Sequence, residues 1–84
     1  MLLTKNVNVI SQKNEAGFIL LDMDSGEFYS LYDVSAYIWN CLENGSSQKE
    51  IIEKVIFKYE ITESQAIEDI NKFLNELQAE GLII

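Results

Sequence analysis

The chain has 84 residues, 48% of them apolar and 24% charged, which suits one folded domain and leaves no room for two. It holds no His, no Arg, no Pro and a single Cys, Cys41. The commonest general base and metal ligand, any internal disulfide or cysteine-rich zinc site, and the guanidinium fork for phosphate are therefore excluded. Fourteen acids against six lysines give a net charge of −8, which opposes nucleic acid and anionic membranes and favours a cationic partner.

The first third reads as strands. Val7, Val9 and Ser11 alternate with Asn8 and Ile10, which predicts a short first strand. Gln12 to Gly17 is polar and carries a turn signal. Gly17 to Met23 is rich in Ile, Leu and Phe and predicts a second strand. Asp24-Ser25-Gly26 is turn chemistry, and Glu27 to Leu31 predicts a third strand. Tyr29 and Leu31 fall on one of its faces, Phe28 and Ser30 on the other.

After Leu31 the period changes. Asp33 is placed to cap a helix carrying Val34, Tyr37, Ile38, Cys41 and Leu42 at helical spacing, stopped by Asn44-Gly45. Ser47 and Glu50 have the form of a capping box, followed by the stripe Ile51, Ile52, Val55 and Ile56. Lys54 and Lys58 suit that helix's C-terminal half, and Tyr59-Glu60-Ile61 reads as a connector. Thr62 and Gln65 predict a second capping box, ahead of a wide stripe of Ala66, Ile67, Ile70, Phe73, Leu74 and Leu77. Gly81 ends this helix, and the apolar tail Leu82-Ile83-Ile84 is expected to pack back onto the body. Three strands followed by three helices make an α+β arrangement.

The segment Met1 to Val9 lacks the long apolar stretch of a signal peptide, and unbroken apolar runs stay as short as Phe18 to Leu21. A single Cys fits a reducing compartment, so a cytoplasmic location is expected. Asp22 and Asp24 form a carboxylate pair beside the hairpin turn, but no His or Arg can assist them; Asp24 is expected to shape the turn and Asp22 to be solvated or to cap backbone groups. Asp22-Met-Asp24-Ser-Gly26 shares only the first oxygen ligands of a calcium loop, so no metal is expected. Cys41 lies on an apolar stripe without an activating base and is expected in the core. Ser25 follows an Asp, as in phosphopantetheine carriers, but it precedes a strand pattern rather than opening a helix. Phe28, Tyr32 and Trp39 fall off the main buried stripes, and exposed aromatics beside an open strand edge point to a peptide groove.

The order Leu21-Asp22, then Ser25-Gly26-Glu27-Phe28-Tyr29-Ser30-Leu31, then Ser35-Ala36-Tyr37-Ile38-Trp39 resembles the PqqD-like family. So does Asp69-Ile70-Asn71-Lys72-Phe73-Leu74, followed by Leu77 and Gly81-Leu82-Ile83. Members of this family are also known as precursor-peptide recognition elements. The similarity runs from about Val7 to the C-terminus, and Tyr32 stands where many relatives carry Asn.

The resemblance implies a winged helix-turn-helix-like fold, a three-stranded antiparallel sheet followed by three helices, as one recognition domain over residues 1–84. It implies no catalysis, no cofactor and no metal. Its expected task is to bind the leader segment of a ribosomally made precursor peptide. The guest adds as a strand beside the third strand and packs against the third helix. The residues this assigns to the peptide are Glu27, Phe28, Tyr29, Ser30, Leu31, Ala66, Asp69, Ile70, Phe73 and Glu76. Ile70 and Phe73 would line an apolar pocket, while Asp69 and Glu76 would meet leader lysines. A chain this short is expected to act in trans, delivering the peptide to a leader peptidase and cyclase, with the lasso-peptide branch favoured. A peptide chaperone for a radical SAM enzyme, as in pyrroloquinoline quinone synthesis, is the alternative. A winged-helix DNA-binding regulator is opposed by the charge and the missing arginines.

Overall fold

The computed structural model describes residues 4–84. Residues 1–3, part of the segment weighed as a signal peptide, lie outside the described residues. Three strands come first, β1 (Val9–Lys13), β2 (Gly17–Asp22) and β3 (Phe28–Tyr32). Three helices follow, α1 (Asp33–Glu43), α2 (Gln48–Tyr59) and α3 (Glu63–Ala79). The sheet is antiparallel in the order β1-β2-β3, so β2 is central and β1 and β3 are edges.

The α+β order is as expected, but local details differ. β1 starts two residues after Val7, because Asn6 builds a turn there. The Asn6 carbonyl accepts from the Val9 amide at 3.0 Å, and its side chain accepts from the Asn8 amide at 3.0 Å. Val7 is left exposed. At the β2–β3 turn the shaping carboxylate is that of Asp22, which accepts from the Asp24 amide at 2.9 Å. Asp24 instead accepts from the Asn8 side chain at 3.0 Å. Gly26 takes φ 77°, which a side chain would resist. At the start of α1, Asp33 does not cap. It adopts a left-handed φ of 51°, and Tyr32 occupies the cap position without a side-chain hydrogen bond. Asp tolerates that region better than most residues.

One face of the sheet and the inner faces of the helices share one core. Val9, Phe18, Leu20 and Leu31 point inward, against Ile38 and Leu42 of α1, Ile51 and Val55 of α2, and Ile70, Leu74 and Leu77 of α3. Trp39 corrects the sequence reading, for it is 0% exposed. Helix α1 packs on the sheet with one side and on α2 with another, so its buried face is wider than one stripe. The indole Nε1–H donates to Ser11 Oγ at 2.9 Å, and that hydroxyl donates to Glu43 at 2.6 Å. Cys41 is buried as expected, and burial pushes its thiol pKa up.

The α2 capping box is complete. Ser47 Oγ accepts from the Glu50 amide at 3.2 Å, and Glu50 accepts from the Ser47 amide at 2.8 Å. Ser47→Ala is expected to cost about 1 kcal/mol in a urea melt. The Ser47 amide and hydroxyl hold the Glu50 carboxyl below its ordinary value of 4.5. Its contribution is therefore present above about pH 4.5 and is lost as pH falls through the lowered value. Acid titration of wild type against Glu50→Gln checks this, because the stability difference between the two should shrink as pH falls through the lowered value.

At α3 the cap is only half a box. Thr62 Oγ1 accepts from the Gln65 amide at 3.1 Å, but the Gln65 side chain runs forward to Asp69 at 2.8 Å. The tail packs back as expected for Leu82 and Ile83, which are buried, while Ile84 is exposed. The Leu82 carbonyl accepts from the Asn6 amide at 3.0 Å, which ties the tail to the N-terminal segment.

Candidate peptide-binding groove

The β3 edge is open, and the register decides what it offers. Leu20↔Tyr29 and Phe18↔Leu31 alternate with Leu21↔Phe28 and Ile19↔Ser30. Just past the strand the Asp22 amide donates to the Glu27 carbonyl at 3.0 Å. In an antiparallel ladder this makes 20/29 and 18/31 the hydrogen-bonded pairs. Tyr29 and Leu31 therefore turn their backbone groups toward β2. Phe28 and Ser30 turn theirs away, as does the Tyr32 amide, and a guest strand can satisfy them.

Beside this edge, β3 and the end of α3 enclose a groove of about 310 Å³, lined by Tyr29, Leu31, Phe73, Glu76, Leu77, Glu80 and Leu82. Leu31, Leu77 and Leu82 are buried and form its floor, and Tyr29 and Phe73 are half-buried walls. The mouth is acidic. The Tyr29 hydroxyl lies 2.9 Å from a Glu27 oxygen and 3.0 Å from a Glu80 oxygen. Its one proton serves one carboxylate at a time. These two acceptors push the phenol pKa well above its ordinary value. The site thus offers an unpaired strand edge, an apolar trough for one or two side chains, and a negative rim.

Of the residues assigned from sequence, Tyr29, Leu31, Phe73 and Glu76 come together in the groove. Glu27 reaches it through the Tyr29 hydroxyl. Phe28 and Ser30 point their side chains to the other side of the sheet and offer only backbone. Ala66 and Ile70 are corrections, since both are 0% exposed and cannot touch a guest. They share the face of Leu74 and Leu77 that packs into the core, and helical spacing alone does not separate a core face from a groove face. Asp69 is exposed, outside the groove, and accepts from Gln65.

Leu77, Glu80, Leu82 and the Tyr32 amide were not assigned to the peptide. Glu76, Leu77 and Glu80 continue the Phe73 face at three-, four- and seven-residue steps, a signal present in the sequence. Leu82 arrives only because Gly81, at φ 73°, turns the tail back. A larger hollow of about 500 Å³ between α2 and α3 is lined in part by Ile52, Ile56 and Ile67, with no strand edge beside it. Among the described residues no group of three or more His, Cys, Asp or Glu is placed to hold a metal ion. No described helix is long and apolar enough to cross a membrane.

A family model described as coenzyme PQQ synthesis protein D (PqqD) matches residues 17–83. The chain belongs to this family. Two solved structures are similar to this PqqD-family chain over nearly its whole length. TbiB1 in complex with the TbiA(beta) leader peptide has a TM-score of 0.92 at 25% identity, covering 95% of this chain and 93% of that one. A lasso peptide synthetase B1 complexed with the leader peptide has a TM-score of 0.92 at 25% identity, covering 100% and 99%. A comparison with curated proteins gave no match.

Proposed function

We propose that this PqqD-family protein, as one domain over residues 1–84, binds the leader segment of a ribosomally made precursor peptide and performs no catalysis of its own. The guest pairs with the Phe28, Ser30 and Tyr32 amides as a fourth strand. Its inward side chains enter the trough between Tyr29, Leu31, Phe73, Leu77 and Leu82, and a basic residue meets Glu76 or Glu80. The open β3 edge lying directly beside an apolar groove carries this reading. It is supported by two relatives of the same fold that were solved with leader peptides bound, one of them a lasso peptide synthetase B1. Lasso-peptide synthesis is therefore the proposed pathway. A chain without His is suited to hold the peptide in the cytoplasm for a separate leader peptidase and cyclase.

Titration with the leader of a precursor encoded beside this chain tests the reading. Micromolar or tighter binding is expected, and failure to bind contradicts it. Phe73→Ala removes a half-buried groove wall and is expected to weaken leader binding about tenfold. Calorimetry should show that loss with the fold intact, and an unchanged affinity removes Phe73 from the site.

A further inference from the structure

Resting on that reading, we propose that Asn6 is a positioning residue for the groove: it holds the turn at Gly81 so that Leu82 and Glu80 face the guest. Asn6 is half-buried and lines no part of the trough. It nevertheless grips the tail that does. The last turn of α3 takes the two amides of this turn, Gly81 donating to the Gln78 carbonyl at 3.0 Å and Leu82 to the Leu77 carbonyl at 2.9 Å. The two carbonyls of the same residues go to Asn6. Its side-chain Nδ2 donates to the Gly81 carbonyl at 3.0 Å, and its backbone amide donates to the Leu82 carbonyl at 3.0 Å. Thr4 and Lys5 extend the clasp. The Ile84 amide donates to the Thr4 carbonyl at 2.9 Å, and Lys5 pairs with Ile83 in an antiparallel bridge.

A helix cap fixes the turn relative to α3, but not how far the residues beyond it stand from a neighbouring strand. Two ties to the sheet supply that distance. In the first, the Tyr29 hydroxyl lies 3.0 Å from the Glu80 carboxylate. A basic guest residue competes for that same carboxylate, so this tie does not hold once the guest is seated. The second runs through Asn6 and is independent of the guest. The Asn6 carbonyl accepts from the Val9 amide at 3.0 Å, and Val9 begins β1 with its side chain buried in the core. The spacing between the sheet and Leu82 is thereby set from β1, the strand farthest from the guest. A binding site keeps its selectivity only while the groups behind its walls are fixed. Asn6 also precedes residues 17–83, the part of the chain that the family model matches.

The test couples Asn6 to a guest residue that it does not touch. The probes are the leader of the precursor encoded beside this chain and versions of it with each apolar residue in turn replaced by Ala. Calorimetry with wild type identifies the leader residue that enters the trough, whose replacement should cost about tenfold in affinity. Asn6→Ala removes both the donor to Gly81 and the acceptor for the Asn8 amide, whereas Asn6→Asp keeps an acceptor and removes the donor. Both variants are expected to bind the parent leader about fivefold or more weakly, and to shrink the tenfold penalty to about threefold or less. Ser47→Ala weakens the α2 cap away from the trough and should leave that penalty at its wild-type size. A penalty that keeps its wild-type size in the Asn6 variants that fold overturns the proposal, and so does one that shrinks equally in Ser47→Ala. Thermal melts showing that neither Asn6 variant folds make Asn6 a stability residue and overturn it too. In each of these cases wild type still binds its leader, so this inference fails alone. A wild-type chain that binds no leader, or a leader in which no apolar residue matters, removes the groove reading and this inference with it.

Discussion

Replacing Ser30 with proline is expected to weaken leader binding by one to two orders of magnitude while leaving the domain folded. The Ser30 amide points away from β2, so the free protein loses no ladder hydrogen bond. The guest loses a donor, and its carbonyl is left facing a pyrrolidine ring. An unsatisfied backbone group at a covered interface costs about 1–3 kcal/mol, or roughly 5- to 150-fold in affinity. The neighbouring residue gives the contrast. Tyr29 pairs with Leu20 through its own amide, so Tyr29→Pro breaks the sheet and is expected to cost about 3 kcal/mol or more. Leader titration together with thermal melts of both variants separates the two effects. An unchanged affinity for Ser30→Pro places the guest elsewhere.

The second large effect is on stability. Trp39 is wholly buried, and its Nε1–H is bonded to Ser11. Trp39→Ala is expected to cost about 3–5 kcal/mol. A domain of this length has only about 4–13 kcal/mol in total, so the variant should lose from about a quarter to all of its stability. Trp39→Phe keeps most of the volume, loses the indole hydrogen bond, and should cost less. Urea melts give both values, and a loss below about 1 kcal/mol for the alanine would contradict the burial of Trp39.

Trp39 also shows where sequence reading stopped. The stripe at Val34, Tyr37, Ile38, Cys41 and Leu42 placed α1 correctly, yet it treated the helix as packed on one side. The helix packs on both the sheet and α2, and periodicity within one element does not report how many neighbours it meets. The third strand was the most legible part, because alternation fixes faces. Tyr29 and Leu31 do turn inward, and Phe28 and Ser30 do turn outward. Which amides reach the open edge was not legible, since that depends on the register with β2. Ala66 and Ile70 failed as groove residues because the α3 face is apolar along its length and only its last turns border β3. Leu82 and Glu80 needed the turn at Gly81 to bring them to the same trough.

Site-resolved amide hydrogen exchange, with and without leader peptide, tests the central claim most directly. In the free protein the amides of Tyr29 and Leu31 should already be protected by β2, while those of Phe28, Ser30 and Tyr32 exchange fast. Saturating leader should slow those three and leave the β1 edge, at Ser11 and Lys13, unchanged. Protection that instead arises at β1, or binding that leaves the Ser30 and Tyr32 amides exchanging as before, would contradict strand addition at β3.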